Sequence, residues 1–132
     1  MEGRKTRILL VDDEPDLVQM VSVRLKAAGY EVSTAYDGQE ALEKVKESPP
    51  PDLMILDLML PKLDGYKVCR LLKLDERTRG IPILIFTARA QVEDVTLATE
   101  CGANMYLTKP FEAKVLLGKL QELLAAAGKA QT

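Results

Sequence analysis

Residues 8–13 read Ile-Leu-Leu-Val-Asp-Asp, four apolar side chains that run directly into two acids. Three later stretches have the same form, at residues 54–57, 83–87 and 105–109, and they end on Asp57, Thr87 and Lys109. Short apolar runs that are separated by helical patterns are typical of strands in a buried parallel sheet. The carboxyl ends of such strands share one edge of the sheet, where α/β proteins bind ligands. The sequence therefore predicts one pocket that holds three acids, a hydroxyl and an ammonium group, a set suited to a divalent cation and a phosphoryl group.

Helical patterns alternate with these runs. Helices are expected over about 17–28, 38–45, 65–74, 91–101 and 112–126, and a more polar run at residues 31–35 predicts a strand at a sheet edge. The positions predicted to face the core are Leu17, Val18, Val21, Leu25 and Ala28 in the first helix, and Leu116, Leu117, Leu120 and Leu124 in the last. Right-handed crossovers between five such units give an α/β, doubly wound (βα)5, flavodoxin-like fold. The common strand order for such a fold is 2-1-3-4-5, and the polar second strand fits the edge position that this order gives it. In that order strands 1 and 3 are neighbours, so Asp12 and Asp13 are expected to lie close to Asp57.

Length and composition restrict the classes of function. The 132 residues are expected to form one domain over residues 7–126, with an N-terminal segment at 1–6 and a tail at 127–132 that frays or begins a linker. The net charge of −2 argues against direct binding to nucleic acid or to an anionic membrane. Only four apolar residues follow the basic start, whereas a signal peptide needs about 7–15, so a cytoplasmic protein is expected. The chain has no histidine, which excludes both a histidine-ligated metal and a phosphohistidine within it.

Asp12, Asp13 and Asp57 are the strongest candidates for metal ligands. Two like charges 4 Å apart repel by about 4 kcal/mol at an effective dielectric near 20, so clustered carboxylates favour a bound cation. Mg²⁺, or Mn²⁺ in its place, prefers such hard oxygen ligands. The alternative is that the acids at residues 12–16 only cap the first helix, with Pro15 in its first turn. Capping of the first helix does not explain why Asp57 stands at the end of another strand.

Asp57 is also a candidate nucleophile. A carboxylate can attack phosphorus and form an acyl phosphate, and phosphoryl transfer needs little beyond positioning and opposite charge. The alternative is a third metal ligand with no covalent role, but the lack of a histidine acceptor favours the nucleophile. Thr87 and Lys109 would offer a hydroxyl donor and a fixed positive charge to the phosphoryl oxygens. Small Ala88 would leave the approach open, and Pro110 would hold Lys109 in extended geometry.

These residues together resemble the receiver domain of bacterial two-component response regulators, over about residues 7–124. Residues 57–65 match the family's pattern of phosphoacceptor, Pro61, Asp64 and Gly65, and residues 102–111 match its signature around the lysine. The resemblance implies a regulatory phosphoacceptor rather than an enzyme with a separate substrate. Its phosphoryl donor would be the phosphohistidine of a sensor histidine kinase or histidine phosphotransfer protein. It would act on a downstream output domain or protein, with a phosphorylation-dependent homodimer as a further option.

The resemblance also implies a role for each matching residue. Asp57 would be the phosphoacceptor. Asp13 and Asp57 would ligate Mg²⁺ together with the backbone carbonyl of Met59, and Asp12 would act mostly through water. Thr87 and Lys109 would hold the phosphoryl oxygens, and movement of Thr87 would let Tyr106 rotate inward and remodel the face formed by the fourth helix, fifth strand and fifth helix. The site would be flanked by Met59, Ala88, Arg89 and Pro110.

Three other functions fit parts of the pattern. A pseudo-receiver would keep the fold as an interaction module without accepting phosphate, but it usually lacks part of the acid, threonine and lysine set that is intact here. A flavodoxin-like FMN protein needs a phosphate-binding loop after strand 1, where this chain has three acids. An aspartyl-phosphate hydrolase would have a second acid two residues after the nucleophile, where this chain has Met59.

Overall fold

The computed structural model describes residues 5–47, 49–58, 60, 65–87, 102–109 and 111–128. Strands and helices alternate along the chain up to residue 87, and the next described element after that is another strand. In chain order they are β1 (Arg7–Val11), α1 (Pro15–Ala27), β2 (Glu31–Ala35), α2 (Gly38–Val45), β3 (Leu53–Asp57), α3 (Gly65–Leu74), β4 (Ile83–Thr87), β5 (Met105–Thr108) and α4 (Ala113–Ala126). The helix predicted over residues 91–101 lies outside the described residues, so the last predicted helix is α4 here.

The five strands form one parallel sheet of order β2-β1-β3-β4-β5, as predicted. The more polar β2 lies at an edge, and its side chains alternate between exposed and partly buried up to the buried Ala35. The register aligns the carboxyl ends of the strands, because Val11 pairs with Leu56, Asp57 with Phe86 and Thr87 with Thr108. This alignment brings the polar residues at the strand ends to one edge of the sheet.

The sheet separates two layers of core. Side chains alternate across a strand, so in β1 Leu9 and Val11 pack on the side of α2 and α3, whereas Ile8 and Leu10 pack on the side of α1 and α4. The side chains of β3 are all buried, as expected for a central parallel strand that is covered on both faces. The core is therefore that of a doubly wound α/β domain.

The helix ends show where the sequence patterns were right and where they were wrong. The first helix ends before Gly29, whose φ of 97° is the left-handed conformation that favours glycine. Ala28, predicted to face the core, is exposed because it is the C-cap, and its N–H donates to the carbonyls of Arg24 and Leu25. Ser22 and Leu123 are buried although the patterns did not predict them to face the core.

Among the described helices none is long and apolar enough to cross a membrane.

Candidate functional site

Three aspartates meet at the carboxyl edge of the sheet. Asp12 follows β1 directly, Asp13 is the next residue, and Asp57 is the last residue of β3. One carboxylate oxygen from each lies within 4.8 Å of those of the other two. Asp12 is fully buried and Asp57 is 4% exposed, whereas Asp13 is exposed. The predicted acid cluster is therefore present, with two carboxylates at its base and one facing solvent.

Lys109 reaches into this cluster from the end of β5. Its Nζ donates to Asp12 Oδ2 at 2.7 Å and to Asp57 Oδ2 at 3.3 Å, and it lies 3.5 Å from Glu14 Oε1. Burial lowers the pKa of the ammonium, but the hydrogen bond to Asp12 and the negative charges of Asp57 and Asp12 outweigh burial and raise the pKa overall. Lys109 therefore stays protonated at neutral pH and partly offsets the charge of the two buried acids.

The backbone near Asp12 explains why its side chain is held in place. Its N–H donates to the carbonyl of Ala35 at 3.1 Å, which continues the pairing of β1 with β2 by one residue. Its Oδ1 accepts from the backbone N–H of Glu14 at 2.9 Å. Glu14 is the N-cap of α1 but makes no side-chain capping bond, and Pro15 occupies the first turn. Asp12, rather than the acids after it, therefore satisfies a backbone donor at the start of α1.

Gly65 allows the start of α3 to approach the backbone of Asp57. A Cβ atom at residue 65 would lie 2.3 Å from the carbonyl oxygen of Asp57 and 2.7 Å from Cα of Leu58. The Gly65 N–H also donates to the Leu58 carbonyl at 3.0 Å. No larger residue fits without movement of the backbone that carries Asp57, which gives a physical reason for glycine at this position.

The remaining predicted site residues are only partly described. Thr87 ends β4, where its backbone pairs with Thr108, but its side chain lies outside the described part of the chain. Met59, Ala88, Arg89 and Pro110 also lie outside it, so their roles stay predictions. Tyr106 lies in the edge strand β5 and is 38% exposed.

Two contacts of Lys109 were not predicted from the sequence. The ammonium lies near Glu14 and also over the ring of Phe86, with Nζ 4.9 Å from the ring centroid. Glu14 could have been found from its place next to the two aspartates. Phe86 gave no comparable signal, because an aromatic residue in an apolar strand is typical of any buried sheet.

The chemistry of the acid cluster fits Mg²⁺. Three carboxylates offer hard oxygen ligands from adjacent strands, and the exposed Asp13 leaves the cluster open to solvent on one side. Mg²⁺ is commonly bound by one or two carboxylates plus water and phosphate oxygens. Asp12, Asp13 and Asp57 are thus the described residues that could hold the ion.

The chain is similar to known regulators of transcription. A family model described as the response regulator receiver domain matches residues 8–121. The DNA-binding dual master transcriptional regulator RpaA of Synechocystis sp. is 45% identical over 118 residues, which cover 89% of this chain and 48% of the relative. The alkaline phosphatase synthesis transcriptional regulatory protein PhoP of Bacillus subtilis is 43% identical with the same coverage. The chain therefore spans about half the length of these curated relatives.

Solved structures agree with the fold. The chemotaxis protein CheY4 of Vibrio cholerae has a TM-score of 0.86 at 36% identity, covering 92% of this chain and 100% of its own. The receiver domain of the sensor histidine kinase PA1611 from Pseudomonas aeruginosa, solved with a magnesium ion coordinated in the active site cleft, has a TM-score of 0.85 at 33% identity, covering 92% of this chain and 99% of its own. With a family model that spans most of its length and a fold that agrees, this chain belongs to the response regulator receiver domains of two-component systems.

Proposed function

We propose that this receiver is a phosphorylation-dependent signalling switch in which Asp57 accepts a phosphoryl group. The observation that carries the proposal is the position of the Asp57 carboxylate, which is buried at a strand end between two further aspartates and the Lys109 ammonium. An oxygen of Asp57 would bond to phosphorus while the P–N bond of a donor phosphohistidine breaks and its electron pair leaves with the imidazole. The product is an acyl phosphate on Asp57. The chain acts only on itself and is regulatory.

The donor is a sensor histidine kinase or a histidine phosphotransfer protein. Family membership supports this assignment, because the receiver of a two-component system works with a histidine kinase. The chain itself contains no histidine that could serve as an internal donor.

Asp13 and Asp57 would hold Mg²⁺ together with the Met59 carbonyl, and Asp12 would contact it through water. When bound, the ion supplies positive charge that offsets the charge of the phosphoryl oxygens and of Asp57. The clustered carboxylate oxygens support this ligand set, as does the magnesium ion in the receiver of PA1611. Lys109 and Thr87 would then bind the phosphoryl oxygens.

The response to phosphorylation is proposed to run from Thr87 to Tyr106. Thr87 would move toward the phosphoryl group, and Tyr106 would rotate inward and change the face formed by residues 91–101, β5 and α4. The exposure of Tyr106 on an edge strand supports this step, because a partly exposed ring can change position without disrupting the core. Met59, Ala88 and Arg89 would set access to Asp57 and the lifetime of its phosphate, and Pro110 would hold the backbone at Lys109.

The altered face would control a downstream output domain or protein, or form a homodimer. The curated relatives are transcriptional regulators about twice as long as this chain, which supports an output that regulates transcription. Residues 7–126 would be the folded receiver, with a segment before it and a tail after it. We propose that the receiver itself does not contact nucleic acid, because its net charge is −2.

The intact mass of the protein after incubation with acetyl phosphate tests the proposal. The wild type should gain one phosphoryl group in the presence of Mg²⁺ and none in its absence, and Asp57→Asn should gain none. Asp16→Asn is the matched control, because Asp16 is an exposed acid on α1 outside the cluster and the change removes the same charge. No gain by folded wild-type protein would overturn the proposal in favour of a pseudo-receiver.

A further inference from the structure

The aromatic ring of Phe86 lies under the Lys109 ammonium. Phe86 is fully buried in β4 and lies between Asp57 on β3 and Leu107 on β5 in the register of the sheet. The distance from Lys109 Nζ to the ring centroid is 4.9 Å. A cation within about 6 Å of the face of an aromatic ring is attracted by the negative charge of that face. Lys109 therefore has an aromatic partner in addition to its carboxylate partners.

Phe111 restrains this ring from the loop that carries Lys109. The centroids of the two rings are 5.3 Å apart and their planes make an angle of 87°, a favourable edge-to-face contact. Phe111 follows Lys109 by two residues and packs against the core cluster of α1 and α4. The ring of Phe86 and the backbone near Lys109 are thus held in a fixed relation to each other.

A bound metal ion would compete for Asp12 and Asp57 but not for the ring of Phe86, nor for the exposed Glu14 carboxylate 3.5 Å from the ammonium. Lys109 pairs with Asp12 and Asp57, two of the carboxylates in the proposed metal site. A divalent cation held by that cluster competes with the ammonium for the same oxygens. A hard, strongly hydrated ion such as Mg²⁺ has little tendency to leave oxygen ligands for an aromatic face. The ring is therefore a partner of the ammonium for which a bound divalent cation would not compete.

We propose that Phe86 is a positioning residue that keeps the Lys109 ammonium at the pocket while the carboxylates hold a divalent cation. The ammonium is then already in place for the phosphoryl oxygens. The part of the proposal that concerns the phosphoryl group rests on the proposed function, whereas the retention of the ammonium over the ring does not. Loss of the aromatic face should weaken the binding of a phosphoryl group to the pocket roughly 2- to 30-fold. This factor corresponds to the usual strength of a cation–π contact.

Fluorination of the ring separates its charge distribution from its shape. We would incorporate 3,4,5-trifluorophenylalanine at residue 86. The matched control carries the same amino acid at residue 111, the other of the two phenylalanines in the chain. Fluorine withdraws the negative charge from the ring face and changes the volume little. This avoids the packing loss expected from Phe86→Ala, and Phe86→Leu serves as a second variant that fills most of the space without a ring. Thermal unfolding of each protein verifies that it folds.

Two measurements test the proposal. The first is the NMR shift of the Lys109 ε-methylene protons, which a ring beneath them moves upfield. We expect this upfield shift in the wild type without Mg²⁺ and its retention in saturating Mg²⁺, and its loss in Phe86→Leu. The second is the dissociation constant of beryllofluoride, a phosphoryl analogue, in saturating Mg²⁺. It should rise roughly 2- to 30-fold with the trifluorinated ring at residue 86, and by much less with the same ring at residue 111.

The two measurements distinguish failure of this inference from failure of the proposed function. Disappearance of the upfield shift when Mg²⁺ binds would overturn the inference, because the ammonium would then have left the ring. An unchanged beryllofluoride affinity with trifluorophenylalanine at residue 86 would also overturn it. A wild type that neither binds beryllofluoride nor gains a phosphoryl group would overturn the proposed function, and the proton shift in Mg²⁺ would still decide whether Phe86 positions Lys109.

Discussion

Lys109 lies within hydrogen-bond distance of two buried carboxylates, so its removal takes away the positive charge that pairs with Asp12 and Asp57. Breaking a buried ion pair by removing one partner typically costs about 3–5 kcal/mol. We therefore expect Lys109→Ala to lower the free energy of unfolding at neutral pH without Mg²⁺ by about 3 kcal/mol. Adding Mg²⁺ should restore part of the loss, because the ion would supply the missing positive charge. Urea unfolding with and without Mg²⁺ measures both effects.

Lys114→Ala is the matched control for this prediction. Lys114 is an exposed residue in the first turn of α4, and its replacement removes the same charge and a side chain of the same length. Exposed charges contribute at most about 1 kcal/mol, so this variant should unfold close to the wild type. Equal losses in the two variants would show that the pairing of Lys109 with the buried acids does not stabilise the fold.

The raised pKa of Lys109 predicts a loss of stability at high pH. The contribution of its ion pairs is fully present below the pKa of an unfolded lysine, about 10.4. Above that pH the unfolded chain releases the proton while the folded chain still holds it, so stability falls as pH rises through the folded value. Tyr30 acts in the same direction, because burial raises its pKa and the unfolded form ionises first.

Urea unfolding of the wild type and of Lys109→Ala between about pH 8 and pH 11 measures this effect. The wild type should lose stability more steeply above about pH 10 than the variant does, since only the wild type loses the Lys109 pairs. Parallel curves would contradict the prediction and assign the alkaline loss to other groups, among them Tyr30.

At the scale of elements, the close approach of α3 to the end of β3 depends on Gly65. A Cβ there would meet backbone atoms rather than a flexible side chain. Gly65→Ala must therefore shift either the start of α3 or the backbone of Asp57. We expect it to cost about 1–3 kcal/mol of stability, as for other overpacked sites, and to slow phosphorylation by acetyl phosphate. Thermal unfolding and intact mass over time measure the two effects.

Gly118→Ala provides the opposite expectation. Gly118 lies within α4, and a Cβ there would meet no atom within 4 Å. Replacement of glycine by alanine inside a helix stabilises it by roughly 0.5–1 kcal/mol. The two glycines should therefore respond with opposite sign to the same substitution. Stabilisation by Gly65→Ala would show that the contact with Asp57 relaxes without cost.

Asn104 shows how one side chain joins two elements. Its Oδ1 accepts from the Ile83 N–H at 2.9 Å, and its own N–H donates to the Ile83 carbonyl at 2.9 Å. The Lys73 ammonium at the end of α3 donates to the carbonyls of Arg79 and Ile81 and to Asn104 Oδ1. Asn104, which directly precedes β5, thereby extends the pairing of β4 with β5 by one residue. The spacing of apolar residues carries no information about such a bond, so it could not be predicted from the sequence pattern.

For the whole molecule, binding of Mg²⁺ to the folded state should stabilise it by mass action. A ligand present at 100 times its dissociation constant stabilises the fold by about 2.7 kcal/mol. The melting temperature of the wild type should therefore rise with Mg²⁺ concentration. Asp13→Asn should lose most of this rise because it removes the exposed acid of the cluster, whereas Asp16→Asn should keep it. Equal rises in both variants would mean that Mg²⁺ does not bind at the cluster.

The sequence determined the architecture and the chemical character of the site. Apolar runs of strand length, separated by helical periods, allow few parallel arrangements, because right-handed crossovers exclude most others. The common strand order for such folds, with the polar strand at an edge, predicted that Asp12 and Asp13 meet Asp57, and the structure has both this order and this cluster. Local patterns also located the ends of most helices, since capping and left-handed glycine depend on near neighbours in the chain.

Only the tertiary structure decided how the site residues pair. The ammonium of Lys109 contacts Asp12, Asp57 and the ring of Phe86, which come from three different strand ends. The lack of space for a Cβ atom at residue 65 likewise depends on a distant part of the chain, the backbone of Asp57 and Leu58. The same holds for the burial of Ser22, whose hydroxyl has no hydrogen-bond partner in the described structure. Periodicity reports which face of an element is apolar. It does not report distances between side chains on different elements, because these depend on register, rotamers and packing.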